Sequence, residues 1–132
     1  MSTLNIPHIT EAESEVMKLL WRKEPLSASE IISQLKDQMD WSDQTIKTFL
    51  NRLHKKEAIR FDKSGRNYLY YPLVSHDDYV KAANRSFLDR IYNGAVGTLF
   101  AKFIEEEKLS DSDIEKLQQL LEKKKRDEHE AD

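Results

Sequence analysis

The sequence contains no cysteine. That excludes disulfides, thiol nucleophiles, thiolate zinc sites and iron–sulfur clusters. Glycine is scarce: Gly65, Gly94 and Gly97 are the only three. Neither a GxGxxG turn nor a P-loop can be written with them, so nucleotide cradling of those kinds is out. No Gly-x-Ser-x-Gly elbow exists either. The four histidines, His8, His54, His76 and His129, lie far apart and form no HExxH. A hydrolase would need a nucleophile–base pair or a metal cluster, and none is visible. The expectation is therefore a protein that is not an enzyme, with no cofactor and no metal. No apolar run approaches the ~18–20 residues that cross a bilayer. The opening Met1-Ser2-Thr3-Leu4 has neither a basic n-region nor an apolar h-region. A cytoplasmic location is expected, without a secretory signal or membrane insertion.

What is present is charge. Charged residues make up 34% of the 132 and hydrophobic residues 39%, and the apolar ones are well spaced, so a folded chain of one domain or two small ones is expected. Net charge is −3, but residues 42–66 hold seven cations and three anions, a local +4 that leaves −7 for the rest. A basic island in an acidic protein is either a solvated face or the footprint of a nucleic-acid contact surface.

The local patterns order the chain. Thr10-Glu11-Ala12-Glu13 reads as a capping box, followed by Ala12, Val16, Leu19 and Leu20 at helical spacing until Pro25. Ser27-Ala28-Ser29-Glu30 is a second capping box and opens a helix carrying Ile31, Ile32 and Leu35. Ser42 caps a third helix, with Trp41 as a staple and Ile46, Phe49, Leu50 and Leu53 as its buried stripe. The period then changes. Residues 58–61 and 68–71 read as two strands, rich in aromatic and β-branched side chains, around a polar turn at 62–67 that contains Gly65. Three helices and a hairpin, in that order, make a winged helix-turn-helix, in which the third helix enters the major groove and the wing reaches flanking backbone. The basic island coincides with that helix and wing.

The remainder reads as helices. Ser75 caps one bearing Val80, Ala83, Phe87, Leu88, Ile91 and Tyr92, which Asn93-Gly94 breaks. A fifth carries Val96, Leu99, Phe100, Phe103 and Ile104, and a sixth, after Ser110, carries Ile114, Leu117, Leu120 and Leu121. The fold class is mainly α with a small β-hairpin: a winged helix at 1–74, a three-helix dimerisation domain at 75–126, and a disordered tail at 127–132. Three helices over roughly 50 residues are marginal alone, so two copies are expected to share one core through Phe87, Leu88, Ile91, Leu99, Phe100, Phe103, Ile114, Leu117, Leu120 and Leu121. The alternative is that these helices fold back on their own winged domain.

Several of these residues carry a resemblance. Ile9-Thr10-Glu11-Ala12-Glu13 with Val16-Met17 and Trp21 resembles the opening helix of the BlaI/MecI family of penicillinase and methicillin-resistance repressors, which has copper-transport repressors as a sister branch. Trp41 through Leu53 is similar to that family's recognition helix almost position by position, and Lys55-Lys56, Ile59, Tyr68, Tyr70-Tyr71 and Leu73 continue the match. The likeness spans roughly residues 9–125 and is looser toward the end. It implies a homodimeric repressor that binds palindromic operators in an antibiotic-resistance or related stress operon. It also implies an upstream sensor or protease that ends repression by a cut in the fifth helix. The matching place is Lys102 and Phe103; Phe103 is kept, and Lys102 stands where the family carries Asn. The copper branch binds metal through paired cysteines, which this chain lacks, so soft-metal sensing has no ligands here.

Roles follow from helix geometry. Gln44, Thr45 and Thr48 lie toward the N-terminal, deepest part of the third helix and are the base-reading candidates, with Asn51 beside them; Gln and Asn pair with adenine, and a Thr methyl packs on that of thymine. Ser42 caps the helix and, with the helix N-terminus, can hold a phosphate. Lys47, Arg52, Lys55 and Lys56 are expected on phosphates, and Lys63 and Arg66 at the wing tip on the flanking backbone or minor groove. Asp43 is assigned to capping, since it favours the helix dipole and repels phosphate. Two readings stand beside the operator-binding repressor. One is a ligand- or metal-responsive repressor of the same fold. The other is a winged-helix protein-interaction module that no longer binds DNA.

Overall fold

The computed structural model describes residues 6–130. Helix α1 spans Glu11–Arg22, strand β1 Leu26–Ser27, α2 Ala28–Gln38 and α3 Asp43–Lys55. Strands β2 (Ile59–Ser64) and β3 (Asn67–Pro72) follow, then α4 (His76–Tyr92), α5 (Val96–Glu106) and α6 (Asp111–Glu130). Both expected capping boxes form. The Thr10 hydroxyl accepts from the Glu13 amide at 3.1 Å while Glu13 accepts from the Thr10 amide at 3.0 Å, and Ser27 and Glu30 repeat the arrangement. Each box satisfies two amides that a helix start leaves without partners.

The sheet is larger than a hairpin. Its order is β1-β3-β2, all antiparallel, with Leu26 opposite Tyr70 and Ser27 opposite Leu69. Two residues are too few to show a period of two, which is why β1 leaves no sequence signal. Ser27 both closes β1 and caps α2, so the sheet and the second helix share a residue. The wing strands also run further than expected. Asp62 pairs with Leu69, Lys63 with Tyr68 and Ser64 with Asn67, which leaves Gly65 and Arg66 as the tip. Gly65 sits at φ +63°, a conformation that costs glycine little.

The core of this first part lies between α1, α2, α3 and the sheet. Val16, Met17, Leu20, Ile31, Leu35, Ile46, Leu53 and Ile59 are fully buried there. Ile46, Leu50 and Leu53 form the buried stripe of α3, with Phe49 half-buried against Trp41 at 5.0 Å between ring centres. The Trp21 indole donates to the Val74 carbonyl at 2.8 Å, and its ring meets His76 and Tyr79. Those contacts hold the beginning of α4 against α1.

The chain divides into two compact units, one ending at Arg85 and the other beginning at Ser86. A boundary after residue 74 was expected; the Trp21 contacts place the first turns of α4 with the winged unit instead. The second unit comprises the end of α4 with α5 and α6. Asn93 and Gly94, at φ 51° and 83°, make the turn out of α4, and the Ser110 hydroxyl accepts from the Asp113 amide at 3.0 Å to start α6. The tail expected to be disordered from residue 127 is helical through Glu130. Ion pairs four residues apart, such as Lys124 with Glu128, support a helix that has no apolar residue there. Residues 131 and 132 of that tail lie outside the described residues.

Candidate nucleic-acid interface

Helix α3 buries one face, and that fixes the opposite one. Spacings of four, three and four place Gln44, Thr48, Asn51 and Lys55 on one line facing away from Ile46, Leu50 and Leu53. Gln44, Asn51 and Lys55 are exposed and Thr48 is half-buried. The Thr48 hydroxyl donates to the Gln44 carbonyl at 2.9 Å, so the hydroxyl is engaged with its own helix and the methyl is left to meet a partner. Thr45 and Arg52 flank the line on one side, Lys47 and His54 on the other; of these Thr45 is half-buried and the others exposed.

The N-terminus of α3 is tightly arranged. Ser42 accepts from the Thr45 amide at 3.1 Å and donates to the Thr45 hydroxyl at 3.0 Å. The acidic Asp43 is paired with Lys36 of α2 at 2.9 Å. That pair offsets the one carboxylate at the head of the helix that would repel an anion.

The wing presents Lys63 and Arg66 exposed, Lys63 on β2 and Arg66 at the two-residue tip. Arg60 differs: it pairs with Asp62 at 2.6 Å and lies 4.0 Å over the Tyr71 ring, so it is held by the wing itself. A row of rings joins α3 to the wing. His54 meets Phe61 at 4.7 Å, and Phe61 meets Tyr68 at 5.0 Å and Tyr70 at 5.7 Å. Phe61 and Tyr70 are cross-strand partners, hence on one face of the sheet. Burial raises the Tyr70 hydroxyl pKa above its ordinary value, with nearby Tyr68 adding to it. His54 and Phe61 are not singled out by the sequence; the alternation of exposed Phe61 with buried Ile59 is the available signal that the two share a face of β2.

Lys56 departs from its expected role. Its ammonium donates to Glu13 of α1 and, at 2.9 Å, to the His8 carbonyl. Glu13 is only 1% exposed. Burial pushes the Glu13 carboxyl up, but hydrogen bonds from Lys56 and Thr10 together with the ammonium charge outweigh it, and its pKa lies below the usual carboxylate value. The structure thus brings Ser42, Gln44, Thr45, Lys47, Thr48, Asn51, Arg52 and Lys55 together on α3 with Lys63 and Arg66 on the wing, and turns Lys56 inward.

The residues expected at a dimer face lie in the second unit. Phe87, Ile91, Phe100, Phe103, Ile114, Leu117, Leu120 and Leu121 are all exposed large hydrophobics, and Leu99 is half-buried. Leu88 is the exception: it is 6% exposed and buried within its own protomer, the one buried hydrophobic residue among those described beyond residue 85. Lys102 and Phe103 lie inside α5, and the Lys102 ammonium is 3.4 Å from Glu106 one turn on. Among the described residues no group of three His, Cys, Asp or Glu side chains is placed to hold a metal, and no helix is long and apolar enough to cross a membrane.

Comparison with known proteins agrees with this geometry. The chain is 40% identical over 120 residues to a penicillinase repressor of Bacillus licheniformis, covering 91% of this chain and 94% of that one. It is 39% identical over 116 residues to the methicillin resistance regulatory protein MecI of Staphylococcus aureus, covering 88% and 94%. Its fold matches the solution structure of the DNA-binding domain of the repressor BlaI with a TM-score of 0.53 and 42% identity, over 56% of this chain and 90% of that domain. It matches B. licheniformis BlaI in complex with the blaP half-operator with a TM-score of 0.52 and 42% identity, over the same shares. A family model described as the penicillinase repressor fits residues 9–123, so the chain belongs to the penicillinase repressor family.

Proposed function

We propose that this chain is a cytoplasmic, homodimeric transcriptional repressor that binds palindromic operators and controls an operon of the β-lactam-resistance type. The observation that carries the reading is the outward line of Gln44, Thr48, Asn51 and Lys55 on α3, continued by Lys63 and Arg66 on the wing. Gln44 and Asn51 offer the paired donor and acceptor that adenine matches, the Thr48 methyl offers contact to thymine, and Thr45 flanks them. Lys47, Arg52 and Lys55 take phosphates beside the groove, the amides at the head of α3 below Ser42 take another, and Lys63 with Arg66 reach the flank.

The homodimer rests on the second unit. A unit that leaves Phe100, Phe103, Leu120 and Leu121 more than half exposed lacks a core of its own and is completed by a second copy. Two winged units on one dimer match the two halves of a palindrome. Relief of repression by an upstream sensor and protease acting at Lys102 and Phe103 fits the α5 position. A protease needs extended backbone, so the helix around that bond must first unwind.

The test is a salt-titrated gel shift of the full chain on a genomic fragment containing its own promoter. A footprinted shift is expected, with affinity falling steeply as salt rises. Only weak, sequence-blind binding would overturn the operator reading, and no binding even at low salt would favour a protein-interaction module.

A further inference from the structure

Lys56 caps the C-terminal end of α3, yet it lies about 100° further round the helix than Lys55 and so off the outward line. Its ammonium reaches the Glu13 carboxylate and the His8 carbonyl. The same carboxylate oxygen accepts the Thr10 amide at 3.0 Å. One buried atom thus ties three elements: the first turn of α1, the segment that enters it, and the end of α3. Ile9, beside His8, is buried in the core, so that segment is itself anchored.

Along its length α3 is packed through Ile46, Leu50 and Leu53, with an exposed Lys36–Asp43 ion pair at its head. Apolar packing is not directional and sets no hydrogen-bond geometry at the end of the helix. A hydrogen-bonded ion pair at the helix end is directional. Reading base edges demands that geometry, because hydrogen bonds weaken steeply with misalignment. Phosphate contacts from long lysine side chains tolerate it. We propose that Glu13 and Lys56 form a lock that sets the angle at which α3 is presented to DNA, and that both are positioning residues that do not themselves touch it. This rests on α3 being the helix that reads DNA.

The lock and a plain phosphate contact predict opposite behaviour. If Lys56 touched phosphate, its loss would weaken all duplexes alike and lower the salt slope by about 0.9. Loss of the Glu13 charge would then tighten binding, since a carboxylate repels DNA. A lock requires both losses to act in the same direction, and only on the specific duplex.

The experiment uses the full chain, a duplex selected from a random-sequence pool by the wild type, and a scrambled duplex of equal length. Lys56→Met, Lys56→Arg and Glu13→Gln are compared across a salt series, with folding at the assay temperature checked by circular dichroism. Lys56→Met and Glu13→Gln should each weaken the selected duplex about tenfold, the effect of losing one well-made base contact. The scrambled duplex and the salt slope should stay near wild type, and Lys56→Arg should recover the loss. Equal weakening of both duplexes by Lys56→Met, or tighter binding by Glu13→Gln, overturns the lock. So does retained discrimination in both variants, or melting of both below the assay temperature, which would make the pair a matter of fold stability alone. A wild type that selects no sequence overturns the DNA-reading role of α3 instead.

Discussion

Phe100 on α5 is 54% exposed in the protomer. A phenylalanine offers about 200 Å² of surface, so roughly 100 Å² of this ring faces outward. At about 25 cal/mol per Å², covering it contributes ~2.5 kcal/mol per protomer. A symmetric dimer contains the contact twice, giving ~5 kcal/mol. Alanine retains part of the area and neighbours relax into the gap, so Phe100→Ala is expected to lose about 3–4 kcal/mol of dimer stability. That corresponds to a dissociation constant raised on the order of several hundred-fold. Sedimentation equilibrium over a range of concentrations measures it directly. The wild type should stay dimeric at micromolar concentration while the variant dissociates there. Because Phe100 is exposed in the protomer, the winged unit should keep its fold. A wild type that sediments as a stable folded monomer, or a variant whose self-association is unchanged, would refute the reasoning.

Three further outcomes are expected. Gln44→Ala should cost about 1–3 kcal/mol at one base position of the operator and leave random-sequence binding unaltered; equal weakening of both, in a competition gel shift, would remove its base-reading role. Ser42→Ala removes the hydroxyl that accepts from the Thr45 amide and should lower stability by about 1 kcal/mol in urea unfolding. The Glu13 carboxyl has a folded pKa below its unfolded value. Its stabilising contribution is therefore fully present above the ordinary glutamate range, about pH 4.3, and is lost as pH falls through the lower folded value. Wild type should lose more stability over that acid window than Glu13→Gln, and parallel acid-unfolding curves would contradict it.

Most of the winged unit was legible because local chemistry and global fold agree there. Thr10 with Glu13 and Ser27 with Glu30 announce helix starts that the structure forms. The 46, 50, 53 stripe of α3 names its buried face and, by difference, the outward line. What was hidden depended on distant partners. β1 is two residues held by pairing with β3, and no local period can reveal a strand that short. Asp62 and Lys63 read as turn residues because they are polar, but cross-strand pairing with Leu69 and Tyr68 draws them into β2. Lys56 follows Lys55 in a basic run and looked like another phosphate ligand. Its partner Glu13 lies 43 positions earlier, and a buried carboxylate there is visible only once α1 and α3 are packed. Leu88 shares the apolar spacing of Phe87 and Ile91, yet it alone of the three is buried, which spacing along one helix does not reveal.

The central claim is that two copies of α3 read two halves of one operator. Its most direct test is a footprint on the selected duplex combined with the mass of the complex in solution. The account predicts two chains per duplex and two protected patches related by a two-fold axis, their centres about 10–10.5 base pairs apart or a multiple of that. One chain on one patch, or protection that follows no sequence, would contradict it.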